Sequence, residues 1–112
     1  MFFIVVIDEG EMKPTISVRQ SLKKLGRDIR NARLRRRIGL ELLAERSMVS
    51  RSVLNKIQNG DPGVSIGAIA SVLFALGMGT PLAMLADLKN DPSGQMLDEE
   101  RLPKRVFERR LS

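Results

Sequence analysis

The sequence predicts an all-α fold of five helices, preceded by a short N-terminal β-strand and followed by an extended C-terminal tail. Three observations predict it. Between Ser17 and Leu88 the apolar residues recur at three- and four-residue steps, the period of one helix face. Helix punctuation falls between those runs, with Ser50 and Ser65 in N-cap positions and Gly39, Gly60, Gly77 and Gly79 at the ends. The chain has 112 residues with no Trp, Tyr, Cys or His. That leaves room for one domain with an aliphatic core and excludes a disulfide framework.

Residues 1–16 read as an N-terminal extension. Its run Phe2–Ile7 (FFIVVI) is too short to span a membrane and lacks the basic start and cleavage site of a secretory leader. Its β-branched content favours a strand, which must pair with something. No second strand signal is strong, so the simplest partner is the same strand in a homodimer. The equal alternative is that translation starts at Met12 and the strand is not part of the protein.

The first helix, Ser17 to Arg37, carries Leu22, Leu25, Ile29 and Ala32 on one face and Arg and Lys on the other. Gly39 breaks it. A short second helix, Leu40 to Arg46, leads into the connector Ser47-Met48-Val49. Ser50 then caps a third helix, which turns Val53, Leu54 and Ile57 inward and stops at Asn59-Gly60. Asp61-Pro62-Gly63 is a turn. Ser65 caps a fourth helix, Ile66 to Leu76, whose Ile66, Ile69, Val72, Leu73 and Leu76 make it the most apolar segment. Pro81 opens a fifth, Pro81 to Leu88. Asn90 to Gly94 reads as a loop, and residues 89–112 as an extended tail with Leu97, Leu102, Pro103, Val106 and Phe107 as anchors. The resulting layout is an extension over 1–16, a helical domain over 17–88 and the tail.

Two short helices joined by a three-residue turn, behind a basic first helix, have the spacing of a helix-turn-helix. Ala44 is small where the third helix must cross the second, and Val49, Leu54 and Ile57 are apolar where the two must be held at a fixed angle. The outward positions of the third helix, Arg51, Ser52, Asn55 and Lys56, are then the candidates to meet base edges in a major groove.

Charge points the same way. Net charge is +6, yet Ser17 to Lys56 alone holds twelve Lys or Arg against three acids, Asp28, Glu41 and Glu45. Such concentration is the footprint of a polyanion binder, with Arg36 and Arg37 as candidate phosphate contacts. The plainer reading is a solvated basic helix face. The basic stretch lacks the bulky apolar face that a membrane surface would need.

The stretch LGRDIRNARLRRRIGLELLAERSMVSRSVLNKIQNGDPGVSIGAIASVLFALGM resembles a Cro/cI repressor-type (XRE-type) domain. Within that family, GDPGVSIGAIASVLFALGM followed by DPSGQMLDEERLPKRV is similar to the HipB-like antitoxins that accompany HipA-like kinase toxins; the match runs from about Leu22 to Val106. The resemblance implies that Arg51, Ser52 and Lys56 face bases with Asn55 at the groove edge. It implies phosphate contacts at Asn59, just past the third helix, and Ser50, at its start, is a further candidate. Three positions depart from the family pattern. Leu40 stands where a phosphate-binding Gln is usual, Met48 where the turn has Gly, and Gln58 where a Glu pairs with the equivalent of Arg33. These departures predict a weaker hold on phosphate.

The function expected is a transcriptional repressor that doubles as an antitoxin. It binds a palindromic double-stranded DNA operator as a homodimer and restrains a HipA-like serine/threonine kinase, in the cytoplasm at the nucleoid. The alternatives are an interaction module with weakened DNA binding, and a stand-alone phage-type regulator. A kinase gene beside this one argues against the latter. An enzyme is not expected: His and Cys are absent, and the clusters Asp8-Glu9-Glu11 and Asp98-Glu99-Glu100 face no second catalytic group. Neither a metal, a cofactor nor a small-molecule ligand is implied. The tail is expected either to dock in a partner's groove or to be cut by proteases.

Overall fold

The computed structural model describes residues 13–101. The Phe2–Ile7 strand, the first acidic cluster and the tail anchors Leu102, Pro103, Val106 and Phe107 lie outside the described residues. Within them the fold is all-α, with no strand. Five α-helices run α1 (Ile16–Arg35), α2 (Leu40–Ser47), α3 (Arg51–Gln58), α4 (Ile66–Ala75) and α5 (Pro92–Arg101). Two 3₁₀ turns, Pro81–Met84 and Leu88–Asn90, stand between α4 and α5. The chain divides into two compact units at Gly79 and Thr80, upstream of the Leu88 boundary read from the sequence. No helix among the described residues is long and apolar enough to cross a membrane.

The first unit is built by caps and periodicity. Thr15, Ser50 and Ser65 each accept a hydrogen bond from the backbone N–H three residues on, at 3.3, 3.0 and 3.1 Å, and so start α1, α3 and α4. Each hydroxyl satisfies one of the orphan donors of a helix start, worth about 1 kcal/mol. The apolar faces meet in one core of Ile29 and Ala32 from α1, Leu43 and Ala44 from α2, Leu54 and Ile57 from α3, and Val72, Leu73 and Leu76 at the end of α4. Leu25, Val49, Val53 and Ile69 pack around it, half-buried. Ala44 is buried as its small size requires, with α3 packed on α2. Ile66 is the exception. It is 69% exposed, as is Phe74 at 64%, so α4 buries only the side that carries Val72 and Leu73.

The tightest junction is between α1 and the end of α3. A Cβ added at Gly26 would stand 2.5 Å from the carbonyl oxygens of both Ile57 and Gln58. One turn further, a Cβ at Gly60, whose φ is +78°, would lie 2.7 Å from the Cα of Lys23. Two backbones therefore touch where side chains would normally separate them. The sequence reading passed over Gly26, a glycine inside a regular helix, and this is its reason for being there.

The second unit departs from expectation twice. Pro81 to Leu88 is not an α-helix. Its bonds reach back three residues, from the N–H groups of Ala83, Leu85 and Asp87 to the carbonyls of Thr80, Leu82 and Met84. Asp87 then turns extended, and its carboxylate accepts from the N–H of Lys89 at 3.0 Å, a local bond that competes with helix continuation. Met84, Leu85 and Leu88 are exposed, so no buried face holds a longer helix. The tail is not extended over its first part either, since Pro92 to Arg101 is α5. Asp91 starts it, its carboxylate accepting from the N–H of Gly94 at 3.0 Å, with Pro92 in the first turn. Asp-Pro-Ser-Gly, read as a loop, is a helix start.

Gly26→Ala is expected to destabilise the first unit by about 2 kcal/mol or more, because the methyl meets backbone that cannot rotate away. Urea unfolding followed by helical circular dichroism measures it; an unchanged midpoint would show that the close approach is not a constraint.

Candidate nucleic-acid interface

The segment from α2 to α3 forms two helices joined by a tight turn. The turn is a Schellman motif: the N–H of Val49 donates to the carbonyl of Ala44 at 3.0 Å, and that of Met48 to Glu45 at 3.1 Å. Met48 sits at φ 59°, ψ 38°, in the left-handed position where glycine is cheapest. Its side chain is 91% exposed, so nothing in packing compensates the backbone strain. Val49 closes the motif against the core.

Beyond the turn, α3 separates its two sides cleanly. Leu54 and Ile57 are buried, while Arg51, Ser52, Asn55 and Lys56 are all exposed. At helical spacing those four fall within an arc of about 140°. They form one continuous surface of guanidinium, hydroxyl, amide and ammonium groups, the donors and acceptors that base edges and phosphates take up. Ser50 is exposed at the N-terminus of α3, with its oxygen engaged by the N–H of Val53.

Two arginines, Arg33 in α1 and Arg36 at its C-cap, are structural clamps. Arg33 donates from Nε to Gln58 Oε1 at 3.0 Å and from Nη1 to the carbonyl of Ile38 at 3.1 Å. One side chain thereby ties α1, the turn into α2 and the last residue of α3. Its acceptor on α3 is neutral, so the bond is charge-assisted from one side only. Arg36 donates from Nε to the carbonyl of Leu76 at 2.9 Å and from Nη1 to that of Ala32 at 2.9 Å. A cation at the C-terminus of α4 complements its dipole. Arg36 was read as a phosphate contact, and here two of its donors serve the fold. Arg37 is exposed in the next turn at φ 54°. Leu40 packs against the core.

Asn59 is exposed past α3 and lines a cleft of about 370 Å³ with Arg19, Lys23, Gly60, Asp61 and Pro62. Arg19 and Lys23 are not singled out by local sequence signals. Their i, i+4 spacing was visible, but only the Gly26 junction brings that side of α1 to the end of α3. No family model matches the chain, and no curated protein or solved structure matches it.

Met48→Gly is expected to raise stability by about 1 kcal/mol by relieving the left-handed strain, seen as a higher urea midpoint at unchanged slope. Gln58→Glu is expected to add about 1 kcal/mol at neutral pH by giving Arg33 a charged acceptor. Arg33 would lower the folded-state pKa of that carboxyl. The gain is therefore present above the unfolded value of about 4.3 and lost as pH falls through the folded value. Unfolding curves at several pH values check it; a gain that persists in acid would contradict the pairing.

Proposed function

We propose that this chain is a Cro/cI-type helix-turn-helix protein that binds operator DNA through α3. The observation that carries the reading is the exposed arc of Arg51, Ser52, Asn55 and Lys56 on a helix held at both ends. The turn at Met48 sets its start, and Arg33 with Gln58 sets its finish. Ser50 and Asn59 flank α3 at its two ends as candidate phosphate contacts, Arg37 is an exposed cation just past α1, and Arg36 keeps donors to spare beyond its two bonds. In this reading a homodimer sets two α3 helices into successive major grooves of a palindromic site, in the cytoplasm, and represses transcription. The likeness of the Gly60–Met78 and Asp91–Val106 segments to HipB-like antitoxins supports a further role, restraint of a HipA-like kinase.

A second reading, an interaction module with weak DNA binding, is favoured by a specific observation. Leu40, at the family's phosphate-binding position, packs on the core, and Arg36, a phosphate candidate by its charge, is drawn toward Leu76, so both contribute less. A kinase that co-purifies with a chain unable to shift its own upstream DNA would support that reading instead.

Arg51→Ala with Lys56→Ala is expected to erase discrimination between the upstream duplex and a scrambled one by about tenfold or more, at unchanged fold. Fluorescence anisotropy with both duplexes measures it. Retained discrimination would rule α3 out as the reading helix.

A further inference from the structure

The side of α1 that borders the α3 junction carries a row of cations which the reading above leaves unused. At helical spacing Arg19, Lys23, Arg27 and Arg30 fall within an arc of about 80° that begins beside Gly26, and they span about 16 Å of helix axis. All four are exposed. Among the described residues none of their side chains has a carboxylate or hydrogen-bond partner, whereas that of Lys24, farther round the helix, is paired with Asp28 at 2.7 Å. Like charges at i, i+4 destabilise a helix, so folding alone disfavours this row and a polyanion laid along it would relieve the repulsion.

Its place matters as much as its charge. Arg19 and Lys23 share the cleft with Asn59 and Gly60, directly past the end of α3. The acid in that cleft, Asp61, has one carboxylate oxygen engaged by the N–H of Gly63 at 2.7 Å. Arg19 and Lys23 therefore stand next to the end of α3, and Arg27 and Arg30 extend the row along α1.

We propose that Arg19, Lys23, Arg27 and Arg30 form a phosphate rail, a second DNA contact that seats the backbone of the duplex flanking the α3 site. The proposal rests on α3 facing the groove. It adds a sequence-independent contact on α1, which holds the duplex without reading it.

The test measures binding of the full chain to the upstream duplex and to a scrambled duplex of equal composition, between about 50 and 200 mM salt. The variant Arg19→Gln/Lys23→Gln/Arg27→Gln/Arg30→Gln is expected to weaken both duplexes about tenfold or more and to lower the salt slope by about 2 to 4, leaving their affinity ratio unchanged. Lys24→Gln, on the outer face, is expected to behave as wild type. If the fourfold variant is misfolded by circular dichroism, Arg19→Gln/Lys23→Gln alone is expected to lower the slope by about 1 to 2. Wild-type binding by these variants, while Arg51→Ala/Lys56→Ala loses discrimination, overturns the rail and leaves the α3 reading standing. Weakened binding by the rail variants with discrimination intact in Arg51→Ala/Lys56→Ala leaves α1 a phosphate contact but overturns the α3 reading, and with it the rail as the flank of that site. No binding of wild type to either duplex overturns both.

Discussion

The contact between α1 and the carbonyl end of α3 governs the rest of the first unit. At Gly26 the two backbones meet with no side chain between them, and Gly60 repeats the approach against Lys23. An ordinary pair of packed helices is separated by 8–10 Å because side chains fill the gap, as about that spacing is typical. Removing the Cβ lets α1 press on the last residues of α3. Arg33 then reaches both Gln58 and the Ile38 carbonyl with a single guanidinium. The position of α3 follows from this junction more than from its own eight residues, which are too few to be stable alone.

The basic residues of α1 and its C-cap divide by what their side chains meet. Arg33 and Arg36 are turned to carbonyl oxygens and act within the fold. Lys24 is paired with Asp28 on the outside. Arg19, Lys23, Arg27 and Arg30 are left exposed along one side of α1, the first two next to the end of α3. A charge excess that looks uniform in the sequence thus falls into different settings, and only geometry tells them apart.

The turn at Met48 shows how the fold tolerates a locally poor residue. The Schellman bonds and the packing of half-buried Val49 on the core hold the left-handed conformation although the side chain of Met48 gains nothing from packing. Strain of about 1–2 kcal/mol is small against the several buried aliphatics that hold α2 and α3 together, each worth about 1.5–3 kcal/mol.

By itself the sequence determined the helices of the first unit, since caps and a 3.6-residue apolar period are local signals that Ser50, Ser65, Leu54 and Ile57 carry in full. It also determined which side of α3 is free, because burial of Leu54 and Ile57 forces Arg51, Ser52, Asn55 and Lys56 outward. Tertiary structure decided what local signals cannot contain. Gly26 has meaning only against the carbonyls of α3, Arg36 only against the end of α4, and the row from Arg19 to Arg30 only once α1 is set beside Asn59. The same limit explains the misread second unit, where Pro81 to Leu88 has helical spacing but buries no face. Asp91 and Pro92, by contrast, start a helix from residues that in isolation also make a turn. Periodicity states which face a helix would bury, and only packing states whether there is anything to bury it against.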